Sequence, residues 1–326
     1  MIQHGYELDF SKQTFGVILY GAPGIGKTTL ALSDGNNGGD TLLIDLEHGV
    51  GRTNPIHRMN ASVLSAATYE EVLSDLNTPE AFAAKTIVID TAGSLVDYLK
   101  DWAMRTKTDA RQKNGAFNGL KGFGYVKSEL ESFVNKIKVV MNKNVVFIFH
   151  CDEKADKDGN PIQRLRCEGS FRNTVWTGID FGAYIQMLGN KRYACFTPED
   201  EFFAKGCHGI SGHIEIPQLK DDVPNDFLQK LFSTARANMQ AENEGVAEQM
   251  TIYRGAVDAA KEMVEGVTDA DTANSCMNAI GMMDHALTSK KEAGKILNDK
   301  CKTLGLRFDV VTRKYVSNNE PAGDTK

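Results

Sequence analysis

The chain has 326 residues, 41% hydrophobic and 25% charged, with a formal net charge of −6. That is enough apolar material for one large α/β domain and a smaller appendage, and too acidic a balance for a protein coated in positive charge to hold nucleic acid. Six scattered cysteines without C-x-x-C spacing argue against a disulfide frame or a zinc site, and no apolar run of about eighteen residues or basic leader is present, so secretion and membrane insertion are not expected and a cytoplasmic location is.

Tyr6, Leu8 and Phe10 alternate with polar residues, which predicts a short strand near the start. Residues 15–20, Phe-Gly-Val-Ile-Leu-Tyr, read as a buried strand. They run into Gly21, Ala22, Pro23, Gly24, Ile25, Gly26, Lys27 and Thr28, a full match to G-x-x-x-x-G-K-[ST], and from Thr29 the chain continues as a helix. Strand, glycine loop and helix in this order bring backbone N–H groups to one polyphosphate. Lys27 supplies a mobile positive charge and the Thr28 hydroxyl a ligand for Mg²⁺, so ATP and Mg²⁺ are the expected cofactors.

After a turn cluster at 34–40, residues 41–45 form a second buried strand that ends in Asp45-Leu46-Glu47-His48. Carboxylates at the C-terminal edge of a strand lie where open α/β sheets bind ligands. Glu47 is the candidate to orient or deprotonate an attacking water, the alternative being an acidic loop residue or helix cap. Residues 68–71 have the capping-box form and open a helix to about 76. Residues 86–90, Thr-Ile-Val-Ile-Asp, read as the strand whose Asp90 faces the metal; the next residue is Thr91, not Glu, so the water-activating acid must come from elsewhere, and Glu47 on the neighbouring strand can supply it.

A helix over 94–106 leads into a glycine-rich, basic and aromatic stretch, 108–124, expected to be a long loop. Arg111, Lys113 and Lys121 can meet phosphates there while Phe117 and Phe123 offer faces to bases; a plain surface loop is the alternative. Residues 100–143 hold ten Lys/Arg against four Asp/Glu, a local +6 on a body that otherwise carries −12. After a helix over 125–141, residues 144–150 form a strand ending in His150, a candidate sensor of the terminal phosphate or else a structural histidine. The polar excursion 151–172, with Lys154, Arg164 and Arg166, can make a paired nucleic-acid surface, and 180–188, 191–196 and 201–205 suit a meander closing the sheet.

The expected organisation is a core at 1–220, a linker helix at 221–245, a small helical domain at 246–317 with breaks near Gly266 and Thr288, and a disordered tail at 318–326. With thirteen Lys/Arg against seventeen Asp/Glu over 221–326, the appendage reads as a poor primary DNA site and a candidate for partner docking or self-association.

The stretches 21–30, 41–55, 86–95, 144–150 and 180–210 occur in an order that resembles the RecA-type recombinase core. More narrowly they resemble phage-encoded RecA-core ATPases of single-strand annealing and recombination. The resemblance covers about 15–220 and implies a RecA-like P-loop fold, with a mostly parallel sheet sandwiched by helices and a helical C-terminal appendage. It implies Asp90 as the metal-side acid, Glu47 as water activator, His150 as switch residue, and Lys205, or less closely Arg192, as a residue reaching a neighbour's ATP site. His150 departs from the amide residue usual there. The expected function is an ATPase, stimulated by the single-stranded DNA it binds. It would form a homo-oligomeric ring or filament, with a single-strand-binding or other recombination protein as a further partner. The alternative is a nucleotide switch whose C-terminal helices bind a protein, without DNA activity.

Overall fold

A computed structural model of the chain describes residues 3–35, 40–59, 61–168, 171, 175–218 and 225–318; the expected tail beyond 318, most of the turn cluster at 34–40 and the start of the expected linker at 221–224 lie outside them. Two compact units are present, one of residues 10–238 and one of residues 1–9 with 239–326. The division at 238 falls within the stretch 221–245 expected as a linker helix; the helix Phe227–Glu265 runs on unbroken past it, and within the larger unit Phe232 stacks on Phe15 with ring centroids 5.5 Å apart.

In the larger unit β1 (Gly16–Gly21), β2 (Thr41–Asp45), β3 (Ala61–Leu64), β4 (Thr86–Asp90), β5 (Asn144–Ala155) and β7 (Phe181–Leu188) run parallel in the order β3-β2-β4-β5-β1-β7. Two antiparallel strands, β8 (Lys191–Cys195) and β9 (His213–Ile216), extend one side, and β6 (Pro161–Leu165) pairs with the far half of β5. Every residue of β1 is buried, as a central parallel strand covered on both faces requires. Ile18 and Tyr20 face a core shared with Leu95, Leu99, Val126 and Leu130. The last four belong to the helices α5 (Ala92–Thr106) and α6 (Gly119–Asn135), whose buried residues recur at helical spacing. The mostly parallel sheet packed by helices that the sequence leads one to expect is the architecture observed.

The lower ends of three parallel strands are fastened by a buried polar network. Asn144 accepts from the Phe15 N–H at 2.8 Å and donates to Thr86 Oγ1 at 3.1 Å and to Asp34 Oδ2 at 3.2 Å, while Thr86 also donates to Asp34. None of these partners is adjacent in sequence, so no local pattern announces them.

Three expected elements differ. Residues Gly5–Glu7 form a 3-10 turn rather than a strand: the His4 N–H donates to Glu7, and the Tyr6 ring stacks on His4 instead of alternating across a sheet. The stretch 108–124 is not a long loop. A tight return pairs Arg111 with Phe117, the Asn118 N–H donates to the Ala110 carbonyl at 2.8 Å, and α6 begins at Gly119. The third strand of the meander is His213–Ile216, not 201–205, where the chain doubles back from Glu199 to Phe202.

The smaller unit holds the remainder of that long helix, two further helices, Ala270–Met282 and Ser289–Thr303, and a two-stranded ribbon, β10 (Leu306–Asp309) with β11 (Lys314–Ser317), that the helical spacing did not foretell. Its core joins Ala260, Ile280, Leu297, Cys301 and Tyr315. The first residues belong to it through Asn243, which donates to the Tyr6 and Leu8 carbonyls at 2.8 and 3.0 Å, and through Arg254, which donates to the Tyr6 hydroxyl.

Candidate active site

The glycine loop leaves β1 at Gly21 and enters a short helix, α1 (Lys27–Ala31). Gly26 takes φ of 94°, a left-handed conformation that favours glycine, and a Cβ there would stand 2.4 Å from the Arg192 guanidinium. Arg192, on β8, donates to the Ile25 carbonyl at 3.2 Å. The arginine set aside in favour of Lys205 thus sits on the loop of its own chain. Lys205, expected at a neighbour's site, lies away from the loop of its own chain: it pairs with Gly182 near the start of β7 and its Nζ donates to the Ile179 carbonyl, whereas Gly21 is level with Ile185 further along.

Lys27 is buried, and its Nζ donates to the Gly21 and Ala22 carbonyls at 3.0 and 2.8 Å. Burial lowers its pKa, and the nearby charges of Asp90 and Glu47 work the other way. Thr28 Oγ1 donates to Asp90 Oδ2 at 2.6 Å. Burial raises the Asp90 carboxyl above its ordinary value, against the pull of that hydrogen bond. A hydroxyl and a carboxylate in contact at a loop shaped for phosphate are the hard oxygen donors Mg²⁺ takes when substrate oxygens complete its shell. Among the described residues no cluster of three or more His, Cys, Asp or Glu forms a metal site by itself.

Glu47 reaches the site because two strand ends are locked together. Asp45 pairs with Asp90 across β2 and β4, the Leu46 N–H donates to the Asp90 carbonyl at 2.8 Å, and the buried Asp45 carboxylate accepts from the Gly49 and Val50 N–H groups at 2.9 Å each. The turn so formed presents Glu47 to Thr91 and Ser94, which donate to its Oε1 at 2.7 and 3.1 Å, while His150 Nε2 lies 3.4 Å from Oε2. Burial works to raise its pKa, but the bonds from Thr91, His150 and Ser94 prevail and hold it below the usual carboxylate range. The other ring nitrogen of His150, Nδ1, is buried and has no hydrogen-bond partner among the described residues.

Two clefts meet at this pair. One, of about 260 Å³, is lined by Pro23, Gly24, Lys27, Thr28, Asp90 and Glu47 and suits a triphosphate. The other, of about 770 Å³, opens past Glu47, Thr91, Ser94 and His150 toward Lys154 and Arg166 of the β5–β6 hairpin. It also carries Asp97, Asp152 and Glu168, and Arg166 is paired to Asp152 at 3.7 Å, so its lining is not a basic surface.

Of the residues expected at nucleic acid, Arg111 and Lys113 are exposed and Lys121 pairs with Asp109 at 3.6 Å. Lys154 is exposed on β5, and Arg164 is half-buried on β6. Phe117 and Phe123 do not offer free faces as a loop would: they meet edge to face at 5.2 Å, and Phe117 fills the space a side chain at Gly122 would need. Lys100, unremarked in sequence, lies 5.9 and 5.7 Å from the two ring centroids and pairs with Glu168, joining the aromatic pair to the segment that follows the hairpin. Both expected nucleic-acid stretches therefore border one face.

A family model described as an AAA domain matches residues 14–208. No curated protein matches the chain. Among solved structures, a KaiC-like protein from the hyperthermophilic archaeon Pyrococcus horikoshii OT3 is similar with a TM-score of 0.35 and 13% identity, over 62% of this chain and 89% of that one. Among the described residues no helix is long and apolar enough to cross a membrane.

Proposed function

This chain belongs to the AAA domain family, and from that premise we propose that it is an oligomeric ATPase that hydrolyses Mg²⁺-bound ATP and couples turnover to single-stranded DNA, in annealing or assistance to recombination. The observation that carries the reading is Glu47, fixed by Thr91 and Ser94 where the triphosphate cleft opens into the larger one.

Lys27 neutralises charge on the phosphates, and the loop amides orient them. Thr28 and Asp90 would hold Mg²⁺, which when bound neutralises charge developing on the phosphate oxygens. Glu47, ionised well below neutral pH, orients the attacking water and accepts its proton. His150, touching Glu47 and beginning the outward run of β5 to Lys154, ties the state of that carboxylate to the hairpin. Arg111, Lys113, Lys121, Lys154, Arg164 and Arg166 supply phosphate contacts for the strand.

ATP hydrolysis measured with and without single-stranded DNA across a salt series tests this. Stimulation should fall steeply as salt rises, because released counterions drive phosphate contacts. Lys113→Glu with Lys121→Glu should abolish stimulation while nucleotide binding persists; unchanged stimulation would remove these residues from the DNA site.

The carboxylates Asp97, Asp152 and Glu168 in the larger cleft favour one second reading, a nucleotide switch that grips a protein partner. It predicts ATP-dependent capture of that partner and no response to polynucleotide.

A further inference from the structure

The smaller unit is acidic as a whole, but its charges are segregated. Residues 239–288 hold two Lys/Arg against nine Asp/Glu, and residues 289–318 hold eight against three, so a run at −7 is followed by one at +5. The helix Ser289–Thr303 turns Ala293, Leu297 and Cys301 into the unit's core. At 100° per residue Lys291, Lys295 and Lys302 fall within about 40° of one another on the opposite side, in a row about 16 Å long. All three are exposed. Of the helix's two carboxylates, Glu292 accepts from the Tyr253 hydroxyl and Asp299 pairs with Lys302 at 3.4 Å. Among the described residues, Lys291 and Lys295 have no carboxylate within ion-pair reach.

The helix leads directly into the β10–β11 ribbon. There Phe308 meets Tyr315 edge on at 5.3 Å and is 42% exposed as a residue, and Arg313 and Lys314 stand exposed at the turn.

We infer that this helix and ribbon form a second site, independent of nucleotide, for the backbone of a single-stranded nucleic acid, with the lysine row on successive phosphates and Phe308 against a base. A straight row of cations matches a linear polyanion, and an exposed aromatic face is what unpaired bases stack on. An anionic membrane is the competing occupant. A surface helix binds lipid through an exposed apolar side, but here the apolar side is the unit's core, and Val310 and Val311 lie only at the ribbon turn. No residue of this site belongs to the ATPase machinery, so the inference stands apart from that reading.

The test uses the full-length protein without nucleotide or Mg²⁺, a fluorescent oligothymidylate and anisotropy across a salt series. Saturable binding is expected. Replacing the row by Lys291→Gln, Lys295→Gln and Lys302→Gln should weaken it more than tenfold at low salt and reduce the salt slope by about 2, three phosphate contacts on a single strand. The three Lys→Arg replacements should restore binding, which separates lost charge from misfolding, and Phe308→Ala should weaken it about tenfold. An unchanged affinity and slope in the glutamine variant overturns the inference, as does capture by phosphatidylserine vesicles without oligonucleotide binding. Nucleotide-free binding lost in the glutamine variant, in a protein whose ATP turnover ignores DNA, would sustain this site and remove the DNA-coupled ATPase reading.

Discussion

Thr91 Oγ1 donates to Glu47 Oε1 across 2.7 Å, joining the residue after Asp90 to the acid at the tip of the neighbouring strand. The position where a second carboxylate was absent from the sequence holds the hydroxyl that aims one from elsewhere. Glu47→Gln keeps the size and removes the base. It should lower ATP turnover by about 10²–10⁴-fold, as loss of a positioned general base does, and leave nucleotide affinity nearly unchanged. Single-turnover hydrolysis beside equilibrium nucleotide binding checks both.

Thr91→Val should act on the pH profile. The Glu47 carboxyl is held low, so it is ionised at neutral pH and turnover falls only as pH drops through its folded-state pKa. Removing a donor raises that pKa, so the acid limb should move to higher pH while the plateau changes little. Its pairing also contributes stability above the unfolded-state pKa that is lost on acidification. With the Glu47 side chain 33% exposed, solvent screening keeps that contribution small. Thr91 also caps α5, accepting from the Ser94 N–H, so a stability loss of about 1 kcal/mol should accompany the variant in thermal unfolding.

Arg192→Ala should weaken nucleotide binding. Its guanidinium holds the Ile25 carbonyl at 3.2 Å, and a hydrogen bond from a charged donor contributes about 1.5–3 kcal/mol, so the lost preorganisation of the loop should cost at most roughly 150-fold in affinity. Titration with a fluorescent ATP analogue reads this. Gly26→Ala should do worse, because it adds a strained left-handed backbone to a clash with the same guanidinium, and Arg192→Ala should relieve only the clash.

Asn144→Ala should leave the buried Phe15 N–H without its acceptor and Asp34 with Thr86 as its remaining side-chain donor in that network. An unsatisfied buried polar group costs about 1–3 kcal/mol, so a loss of about that size should appear in denaturant unfolding while the nucleotide site, at the opposite ends of the strands, keeps its affinity until the protein unfolds.

The glycine loop, the strands carrying Asp45 and Asp90 and the helices at 69–75 and 92–106 were legible because each follows from local composition and period. That Glu47 lies beside the strand end carrying Asp90 was legible too, since β2 and β4 are parallel neighbours that end at one edge. What escaped was long-range. Arg192 reaches the loop through the antiparallel β8, the Asp34–Thr86–Asn144 network links residues far apart in the chain, and Phe117 turns inward because Gly122 leaves room for it. The acidic total of the appendage hid its basic end, because a sum over residues discards their arrangement.

Tyr6 is held by Asn243 and Arg254, more than two hundred residues away. A fragment beginning at 239 would therefore start with those two side chains stripped of their native acceptors, and its failure to behave would say little about the helices themselves. Isolating that part faithfully calls for covalently joining residues 1–9 to its front, with the stretch between them excised, rather than a simple cut.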